Sequence, residues 1–411
     1  MAQLSDDCFA FGGALLTVDA ALALIAAQVG PVDGTERLPL RDADGRVLAE
    51  DVLAPVDLPP FANSAVDGYA VRLADAAAGA LPVQGRLAAG AVADSLHPGT
   101  ARRIFTGAAL PEGADTVFMQ EDVRLDGAFV HLPGGLRPGA NTRSRGEDVA
   151  LGALALPSGR VLRPQDLALA AALGVTMLPV RRRVRVALFS TGDELVEPDA
   201  VPNAAQRFDS NRTLLAALLA RTGALVTDLG ILRDRQDVIA DAVRDAAGEH
   251  DLILTSGGVS AGEEDHVRAA VESLGRLVFW RLAIKPGRPV AMGAVAGKAF
   301  MGLPGNPVAA FVTFMQVARP LLAALSGTVW RPPARIVAQA AFSYRKKAGR
   351  REYVRVRLVL GPDGWVAHKH PVEGAGILTS LTETDGLAEL PDDALEVSPG
   401  DAVGFLPYDA C

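Results

Sequence analysis

Residues 255–265, with the sequence TSGGVSAGEED, hold the residue types best suited to chemistry in this chain. Two adjacent glycines let backbone N–H groups approach a phosphate, and a following helix N-terminus favours an anion. Three acids, Glu263, Glu264 and Asp265, would repel that phosphate unless a divalent cation lay between them. The stretch therefore indicates either a magnesium-assisted phosphate site or an acidic first helical turn after a flexible loop.

Other charged residues follow predicted strands in the same way. The carboxylates that could hold Mg²⁺ are Asp193, Glu194, Asp234 and Asp265. The cations that could hold a phosphate or another oxyanion are Arg281, Lys285 and Arg288. No Ser, Cys or His triad is seen, the six histidines lack metal-ligand spacing, and His266 is expected at the surface. These residues predict metal-assisted chemistry on a phosphorylated ligand, without a covalent enzyme intermediate.

Alternating strands and helices between residues 180 and 327 must position these groups. Strands are predicted at 184–190, 224–229, 252–255, 277–284, 289–293 and 299–303, and helices at 211–221, 236–247, 265–274 and 307–325. This alternation favours a doubly wound, mostly parallel sheet, which binds ligands at the carboxyl ends of its strands. Five polar motifs are predicted at such ends, namely 190–194, Asp234, 255–258, 285–288 and 303–307.

The first 178 residues are interpreted as two interleaved modules. A helix is predicted over 14–29, capped by Thr17 or Asp19, and a hairpin over 38–53. Residues 55–145 are rich in Gly and Pro and predict an inserted, mainly β domain, with strands at 83–86 and 116–120. A helix over 165–173 then begins near Pro164. Residues 1–54 and 146–178 are expected to form one elongated α+β domain.

The remaining boundaries give an α/β domain at 179–328 and a C-terminal, β-barrel-like domain at 329–411. The latter has predicted strands at 335–341, 353–360, 365–368 and 402–405. Its basic cluster, defined as Arg345, Lys346, Lys347, Arg350 and Arg351, is either a solvated face or an anion-binding surface. The predicted fold class is therefore α/β and multi-domain, with a central α/β domain.

Composition excludes several broad functions. Of the 411 residues, 49% are hydrophobic and 5% aromatic, and the net charge is −8. This charge argues against broad nucleic-acid binding, and few aromatics are available to stack on bases. Cys8 and Cys411 lie at opposite ends without metal-ligand spacing. No signal peptide or membrane span is seen, so a soluble, cytoplasmic protein is expected.

Seven motifs in order resemble the molybdopterin molybdenumtransferase family, which includes the bacterial MoeA type and the gephyrin E domain. They are SAVDGYA, RIFTGA, NTRSRGED, STGDEL, TSGGVSAGEED, FWRLAIKPGRP and GLPGNP, and they extend over most of the chain. The resemblance implies a four-domain homodimer that takes adenylylated molybdopterin and molybdate. It also implies use of Mg²⁺ and release of AMP and molybdenum cofactor, with other cofactor-biosynthesis proteins and molybdoenzymes as possible partners.

The resemblance also implies which residues act. The implied catalytic residues are Asp67, Thr106, Asp148, Glu194, Asp265 and Lys285. The implied cofactor-binding residues are Arg143, Ser256, Gly257, Gly258, Ser260, Arg281, Arg288 and Asn306. The implied metal ligands are Glu194, Asp234 and Asp265, and backbone N–H groups at 256–258 are expected to cradle the pterin phosphate. Because Asp67 and Asp265 fall in different domains, the site is expected to be completed across a dimer.

Two positions depart from the family's pattern. Arg281 stands where the family often has Lys, and Gly374-Ala375-Gly376 stands where it often has Gly-Ser-Gly. Ala375 cannot donate a hydroxyl hydrogen bond, so Arg350, Arg355 or a nearby backbone N–H would have to substitute. The alternative functions are the adenylyltransferase of the same pathway, which shares the TSGG-type domain, and a non-catalytic molybdopterin-binding scaffold.

Overall fold

The computed structural model describes residues 15–259 and 266–408. Contacts within the chain form two compact units. The first contains Met1–Glu36, Gly45–Val47 and Arg181–Cys411, and the second contains Arg37–Asp44 and Leu48–Val180. The α/β sheet and the C-terminal β strands therefore belong to the first unit.

A six-stranded sheet forms the centre of the first unit. Its strands lie in the spatial order Leu225–Leu232, Arg185–Thr191, Leu252–Ser256, Lys298–Leu303, Pro289–Val295 and Gly275–Arg281. The first four are parallel, and Pro289–Val295 is antiparallel to both of its neighbours. Five of the six strands consequently run in one direction and end at one edge, which confirms the mostly parallel sheet.

Helices cover both faces of this sheet because its strands are apolar on both sides. Along Arg185–Thr191, Val186 and Leu188 join one buried cluster, whereas Ala187 and Phe189 join the other. The helices of the first unit are Val18–Gln28, Asn211–Arg221, Gln236–Glu249, His266–Leu274, Pro307–Thr313, the π-helical turn Phe314–Ala318, Arg319–Ser326 and Thr379–Thr382. The doubly wound arrangement is thus confirmed.

The first helix, Val18–Gln28, begins after Thr17, whose hydroxyl accepts a hydrogen bond from the Ala20 N–H at 3.2 Å. Its buried residues Val18, Ala21 and Ile25 join the core of the α/β sheet. This packing differs from the expected domain of 1–54 and 146–178. A stripe at i, i+3 and i+7 specifies a buried helix face but not the core that receives it.

Residues Pro307–Ser326 form the one helical run of the described chain that is long and apolar enough to cross a membrane. Within its most apolar window, 78% of the residues are buried inside the protein. Packing in the α/β core therefore accounts for the apolar composition of this run.

The C-terminal part of the first unit is a closed five-stranded barrel. Its strands follow one another as Arg351–Gly361, Gly364–Lys369, Ile336–Ala340, Ala402–Pro407 and Gly386–Leu390, and the last pairs back with the first. The barrel-like prediction is confirmed. Short strand pairs lie beside the two sheets at Leu195–Val196 with Arg207–Phe208 and at Tyr344–Arg345 with Glu396–Val397.

One strand prediction in this unit is wrong at its end. The strand predicted over 277–284 leaves the α/β sheet at Arg281, and Ile284–Lys285 instead pairs in parallel with Arg351–Gly361 of the barrel. The run from Leu277 to Ile284 is mostly apolar, so the sequence pattern does not reveal that the chain changes sheets within it.

The basic cluster is mostly not a solvated face. Lys346 is 8% exposed, and its Nζ donates to the carbonyl oxygens of Asp392 and Ala394 at 3.2 and 2.7 Å. Arg351 pairs with Asp19 and Asp392 at 2.8 and 3.1 Å. These partners come from elsewhere in the chain, so the charge run alone does not indicate them.

The second unit is built mainly from strands. A six-stranded sheet has the order Thr116–Met119, Gly68–Val71, Ala101–Ile104, Ala80–Leu87, Phe129–His131 and Arg124–Asp126. This arrangement confirms the strands predicted at 83–86 and 116–120. A 3₁₀ turn at Leu73–Ala78 and a second sheet of two strands, Asn63–Ser64 with Thr142–Arg143, complete this part.

The rest of the second unit corrects the hairpin predicted over 38–53. Thr35–Pro39 pairs with Met177–Arg181, and Val52–Leu53 pairs with Leu154–Leu156. A 3₁₀ turn at Leu40–Asp42 follows the first of these strands, and the helix Pro164–Ala172 begins at its predicted proline. Alternating apolar residues predicted the strands, but the partners of a strand depend on packing far along the chain.

Candidate functional site

One edge of the α/β sheet gathers the predicted polar motifs. The loops after Arg185–Thr191, Leu225–Leu232, Leu252–Ser256 and Lys298–Leu303 all leave this edge. The connection from Arg281 to Pro289 lies there too, because it joins two antiparallel strands. The prediction that Glu194, Asp234, 255–258, Lys285, Arg288 and Asn306 share an edge is therefore confirmed. Ser260 and Asp265 lie outside the described residues.

The turn at Ser256, Gly257 and Gly258 is tightly packed against its neighbours. The Ser256 hydroxyl accepts from the Asn211 side-chain amide at 2.8 Å and donates to the Pro304 carbonyl at 3.2 Å. The Gly257 N–H donates to the Leu303 carbonyl at 3.1 Å. The expectation that this N–H cradles a phosphate is therefore wrong, because the adjacent strand already uses it. The glycines serve packing and a positive φ, at +91° and +65°.

We expect Gly258→Ala to destabilise the protein by about 3 kcal/mol, because an added Cβ would be overpacked and the left-handed backbone would be strained. That Cβ would lie 2.3 Å from Val267 Cγ2 and 2.7 Å from Thr191 Cγ2. Gly223→Ala is the matched control, since φ there is +79° and the added Cβ meets no atom within 4 Å. Urea unfolding should show a clearly larger loss for Gly258→Ala, and equal losses would contradict the packing argument.

Three carboxylates approach one another at this edge. The Asp234 carboxylate accepts from the Thr191 hydroxyl at 3.4 Å, and its backbone N–H donates to Asp193 Oδ1 at 3.3 Å. Burial raises the pKa of Asp234, and the charges of Asp193 and Glu194 raise it further, against opposing effects of His266 and Thr191. His266 is half-buried, and its electrostatic interaction with Asp234 lowers the pKa of that carboxyl, so His266 is not simply a surface residue.

Mutual repulsion of this kind is relieved by a cation, so the acids fit Mg²⁺ in chemical type. Glu194 at present pairs with Arg207 at 2.8 Å. Within 15–259 and 266–408, no group of three or more His, Cys, Asp or Glu side chains is arranged so that it could hold a metal ion. The third ligand implied by the sequence, Asp265, lies outside these residues.

A pocket of about 220 Å³ opens where the sheet edge meets the barrel. Its polar lining includes Lys285, Asn306, Tyr344, Arg355, Lys369 and Glu373. The Lys285 ammonium donates to the Tyr344 hydroxyl at 2.8 Å and lies 3.3 Å from the Glu352 carboxylate. Burial opposes the charge on Lys285, but the hydrogen bond with Tyr344 and the charge of Glu352 outweigh it and raise its pKa. Lys285 is therefore a cation at neutral pH.

Arg355 is a further cation of this pocket and, unlike Lys285, is buried at 9% exposed. Its Nε donates to the Ser380 hydroxyl at 3.0 Å and its Nη2 to the Gly374 carbonyl at 3.1 Å. Among the described residues, no carboxylate forms an ion pair with it. Burial accordingly lowers the pKa of Arg355, although the group remains charged. A buried, unpaired guanidinium facing a pocket is suited to an anion.

The loop that carries Ala375 forms one wall of the pocket. The Ala375 carbonyl accepts from the Val308 N–H at 3.0 Å, and Arg355 holds the neighbouring Gly374 carbonyl. Arg355 therefore both stabilises this loop and presents a charge where Ala375 lacks a hydroxyl. Of the substitutes considered from the sequence, Arg350 instead donates to Glu352 at 2.6 Å. Arg281 and Arg288 flank the connection that carries Lys285, but neither lines the pocket.

Glu373 places a negative charge in the same pocket. The hydrogen bond from Lys369 lowers the pKa of the Glu373 carboxyl, and the charges of Lys369, Lys285 and Arg355 lower it further. We expect Glu373→Gln to tighten binding of an oxyanion such as molybdate by about 2–5-fold, the effect of one partly exposed charge. Titration calorimetry would measure this. Glu249→Gln, at the opposite edge of the sheet, should leave the affinity unchanged, and weaker binding to Glu373→Gln would contradict the prediction.

In the second unit, the structure brings Asp67 and Thr106 together. Asp67 Oδ1 accepts from both the N–H and the hydroxyl of Thr106 at 2.8 Å, and these bonds lower the pKa of Asp67. Arg143 is exposed on the strand paired with Asn63–Ser64. Asp148 is exposed on a loop, and its backbone N–H donates to the Leu58 carbonyl at 3.0 Å. All four residues predicted in this half are thus placed, but only two contact each other.

Sequence reasoning missed several residues of the pocket. The sequence patterns do not indicate four residues that line the pocket or contact a residue that does, namely Tyr344, Glu352, Lys369 and Glu373. Tyr344 and Glu352 flank the basic cluster in the sequence, so that cluster was the available signal. Its relevance depended on the barrel strand that pairs with Ile284–Lys285.

Models of known families match three successive segments. The MoeA N-terminal region (domain I and II) matches residues 16–174, a probable molybdopterin binding domain matches 187–324, and the MoeA C-terminal region (domain IV) matches 337–408. The middle segment contains the polar edge of the α/β sheet. The last contains the barrel side of the pocket.

Individual proteins are similar over nearly the full chain. Molybdopterin molybdenumtransferase of Haemophilus influenzae is 38% identical over 402 residues, covering 96% of this chain and 99% of that protein. Molybdopterin molybdenumtransferase 2 of Mycobacterium tuberculosis is 37% identical, covering 88% and 92%. The crystal structure of the molybdopterin biosynthesis moeA protein from Pyrococcus horikoshii OT3 has a TM-score of 0.82 at 30% identity, covering 96% and 100%.

Proposed function

This chain belongs to the MoeA family of molybdopterin molybdenumtransferases, and on that premise we propose that it inserts molybdate into adenylylated molybdopterin. The products are AMP and the molybdenum cofactor. The three family models together match most of the chain. This coverage supports a complete transferase better than an isolated adenylyltransferase domain.

The observation that carries this proposal is the pocket whose lining includes Lys285 and Arg355. Molybdate is a tetrahedral dianion, and a guanidinium fork with an ammonium point charge suits such a group. Arg355 forms no ion pair with a described carboxylate, although the charge of Glu373 acts on it, so an incoming oxyanion would further offset this buried charge. Arg281 and Arg288, on the same connection as Lys285, would attract the anion to this edge.

The acidic loops at the same edge support a role for Mg²⁺. We assign Glu194, Asp234 and Asp265 as its ligands; burial raises the pKa of Asp234, and the nearby charges of Asp193 and Glu194 raise it further, so a cation there would be favoured. When bound there, Mg²⁺ would offset negative charge on the pyrophosphate as its P–O bond breaks. The adjoining molybdopterin site would be shaped by Asn306, Ser256, Gly257, Gly258 and Ser260. Gly257 would act through packing.

The residues of the second unit enter the proposal through the family. We assign to substrate binding and catalysis Asp67, Thr106, Arg143 and Asp148. The two hydrogen bonds that Thr106 donates to Asp67 are compatible with a preorganised pair. We further propose a cytoplasmic homodimer whose two subunits complete each site, and transfer of the product to other cofactor-biosynthesis proteins or molybdoenzymes. A stably monomeric preparation with full activity would contradict the shared site.

The test is to incubate purified protein with adenylylated molybdopterin, molybdate and Mg²⁺ and to measure AMP release by chromatography. Molybdate-dependent AMP release that is lost on chelation of Mg²⁺ and in Asp265→Ala would support the proposal. Release of pyrophosphate from ATP with molybdopterin would indicate the adenylyltransferase instead. Binding of adenylylated molybdopterin without AMP release would indicate a scaffold and overturn the proposed reaction.

A further inference from the structure

Lys285 is held by a short chain of hydrogen-bonded groups that extends away from the pocket. The Tyr344 hydroxyl accepts from the Lys285 ammonium at 2.8 Å and donates to Glu352 Oε2 at 2.8 Å. The other oxygen of Glu352 accepts from Arg350 Nε at 2.6 Å. The Glu352 side chain is only 1% exposed, so these bonds fix a buried carboxylate behind a partly exposed lysine.

The backbone explains why this chain of groups exists. Ile284–Lys285 is a parallel neighbour of Arg351–Gly361, and the register places Lys285 directly opposite Glu352. The Lys285 ammonium accordingly lies 3.3 Å from the Glu352 carboxylate and forms an ion pair with it. The Tyr344 hydroxyl contacts both groups, and the Tyr344 ring lies 5.2 Å from the ammonium.

We propose that Tyr344 is a positioning residue that, together with Glu352, fixes the Lys285 ammonium at the pocket where the oxyanion binds. This inference rests on the proposed function, since it concerns how molybdate is held. A lysine ammonium has three N–H donors. Tyr344 engages one and Glu352 attracts a second, which leaves one for a ligand. Because the lysine stem is flexible, its placement depends on these fixed partners.

Removing the hydroxyl in Tyr344→Phe should free the Lys285 ammonium from one of the two groups that fix its position. We expect the KM for molybdate to rise about tenfold, the size of one lost hydrogen bond to a charged group, with a much smaller change in kcat. The KM for adenylylated molybdopterin should change little. A merely structural role would instead lower kcat or the thermal midpoint without this selective effect.

Matched variants isolate the role of the lysine. Thr222→Val removes a hydroxyl that is hydrogen-bonded at 2.6 Å at the end of another helix, and it should not change the KM for molybdate. In a Lys285→Ala background, Tyr344→Phe should cause no further rise, because the group it positions is gone. An equal rise in that background, or no rise in the otherwise unchanged protein, would overturn the proposal.

Titration calorimetry with molybdate alone separates this inference from the proposed function. If the unaltered protein binds molybdate but releases no AMP, the proposed reaction fails while the role of Tyr344 is still decided by binding. A tenfold loss of molybdate affinity in Tyr344→Phe then supports the positioning role. Unchanged affinity in that variant overturns it, whatever the outcome of the AMP assay.

Discussion

Replacing Arg355 with methionine should lower kcat/KM for molybdate by about 100-fold or more, the effect of removing one partner of a buried charge contact. Arg355 is 9% exposed, lines the pocket and forms no ion pair with a described carboxylate. Its charge is therefore available to the substrate. Arg355→Lys should retain part of the activity, because the charge survives while the planar fork is lost. Steady-state rates of AMP release at varied molybdate concentration would measure both effects.

A second arginine of the same barrel provides the contrast. Arg335 pairs with the buried Glu389, whose side chain is 8% exposed, and it does not line the anion pocket. Arg335→Met should lower the thermal midpoint, since it leaves a buried carboxylate short of a partner, but it should keep the KM for molybdate. Arg355→Met should instead raise the KM for molybdate, because it removes a charge that faces the pocket. Equal losses of activity in the two variants would contradict the assignment.

Asp234→Asn should abolish Mg²⁺-dependent AMP release, with a loss of about 100-fold or more if the carboxylate ligates the metal. It should also remove any rise in thermal midpoint caused by Mg²⁺. Asp237→Asn is the matched control, because Asp237 is an exposed acid paired with Arg235 at the start of the following helix. A metal response that survives in Asp234→Asn would exclude Asp234 as a ligand.

In the metal-free protein, Asp234→Asn should change how stability depends on pH. The pKa of Asp234 is raised above its ordinary value of 3.8, chiefly by burial and further by Asp193 and Glu194. The protonated form is favoured in the folded state, so its contribution to stability is lost as pH rises from 3.8 through the raised pKa. Asp234→Asn has no titrating carboxyl at this position, so the variant does not lose this contribution to stability as pH rises. Without Mg²⁺, its stability relative to the unaltered protein should increase with pH over that window, and a constant difference would contradict the shift.

The sequence by itself determined the elements and the edge at which polar groups gather. The helix predicted over 211–221 forms as Asn211–Arg221, and the strands of the α/β sheet form close to their predicted positions. These features follow from periods of 2 and 3.6 residues, which are local properties of the chain. In parallel strands the loops after the strands share one edge, so strand order hardly affects where Glu194, Asp234 and Asn306 lie.

Only the tertiary structure decided which residues and elements contact one another. Lys285 and Tyr344 are 59 residues apart in sequence and meet because Ile284–Lys285 leaves one sheet for another. The Gly257 N–H is engaged by Leu303, and the helix Val18–Gln28 joins the α/β core rather than residues 146–178. In each case several partners satisfy the local pattern equally well. Close packing and hydrogen bonding of the whole unit select one of them, and a sequence pattern of short range does not contain that choice.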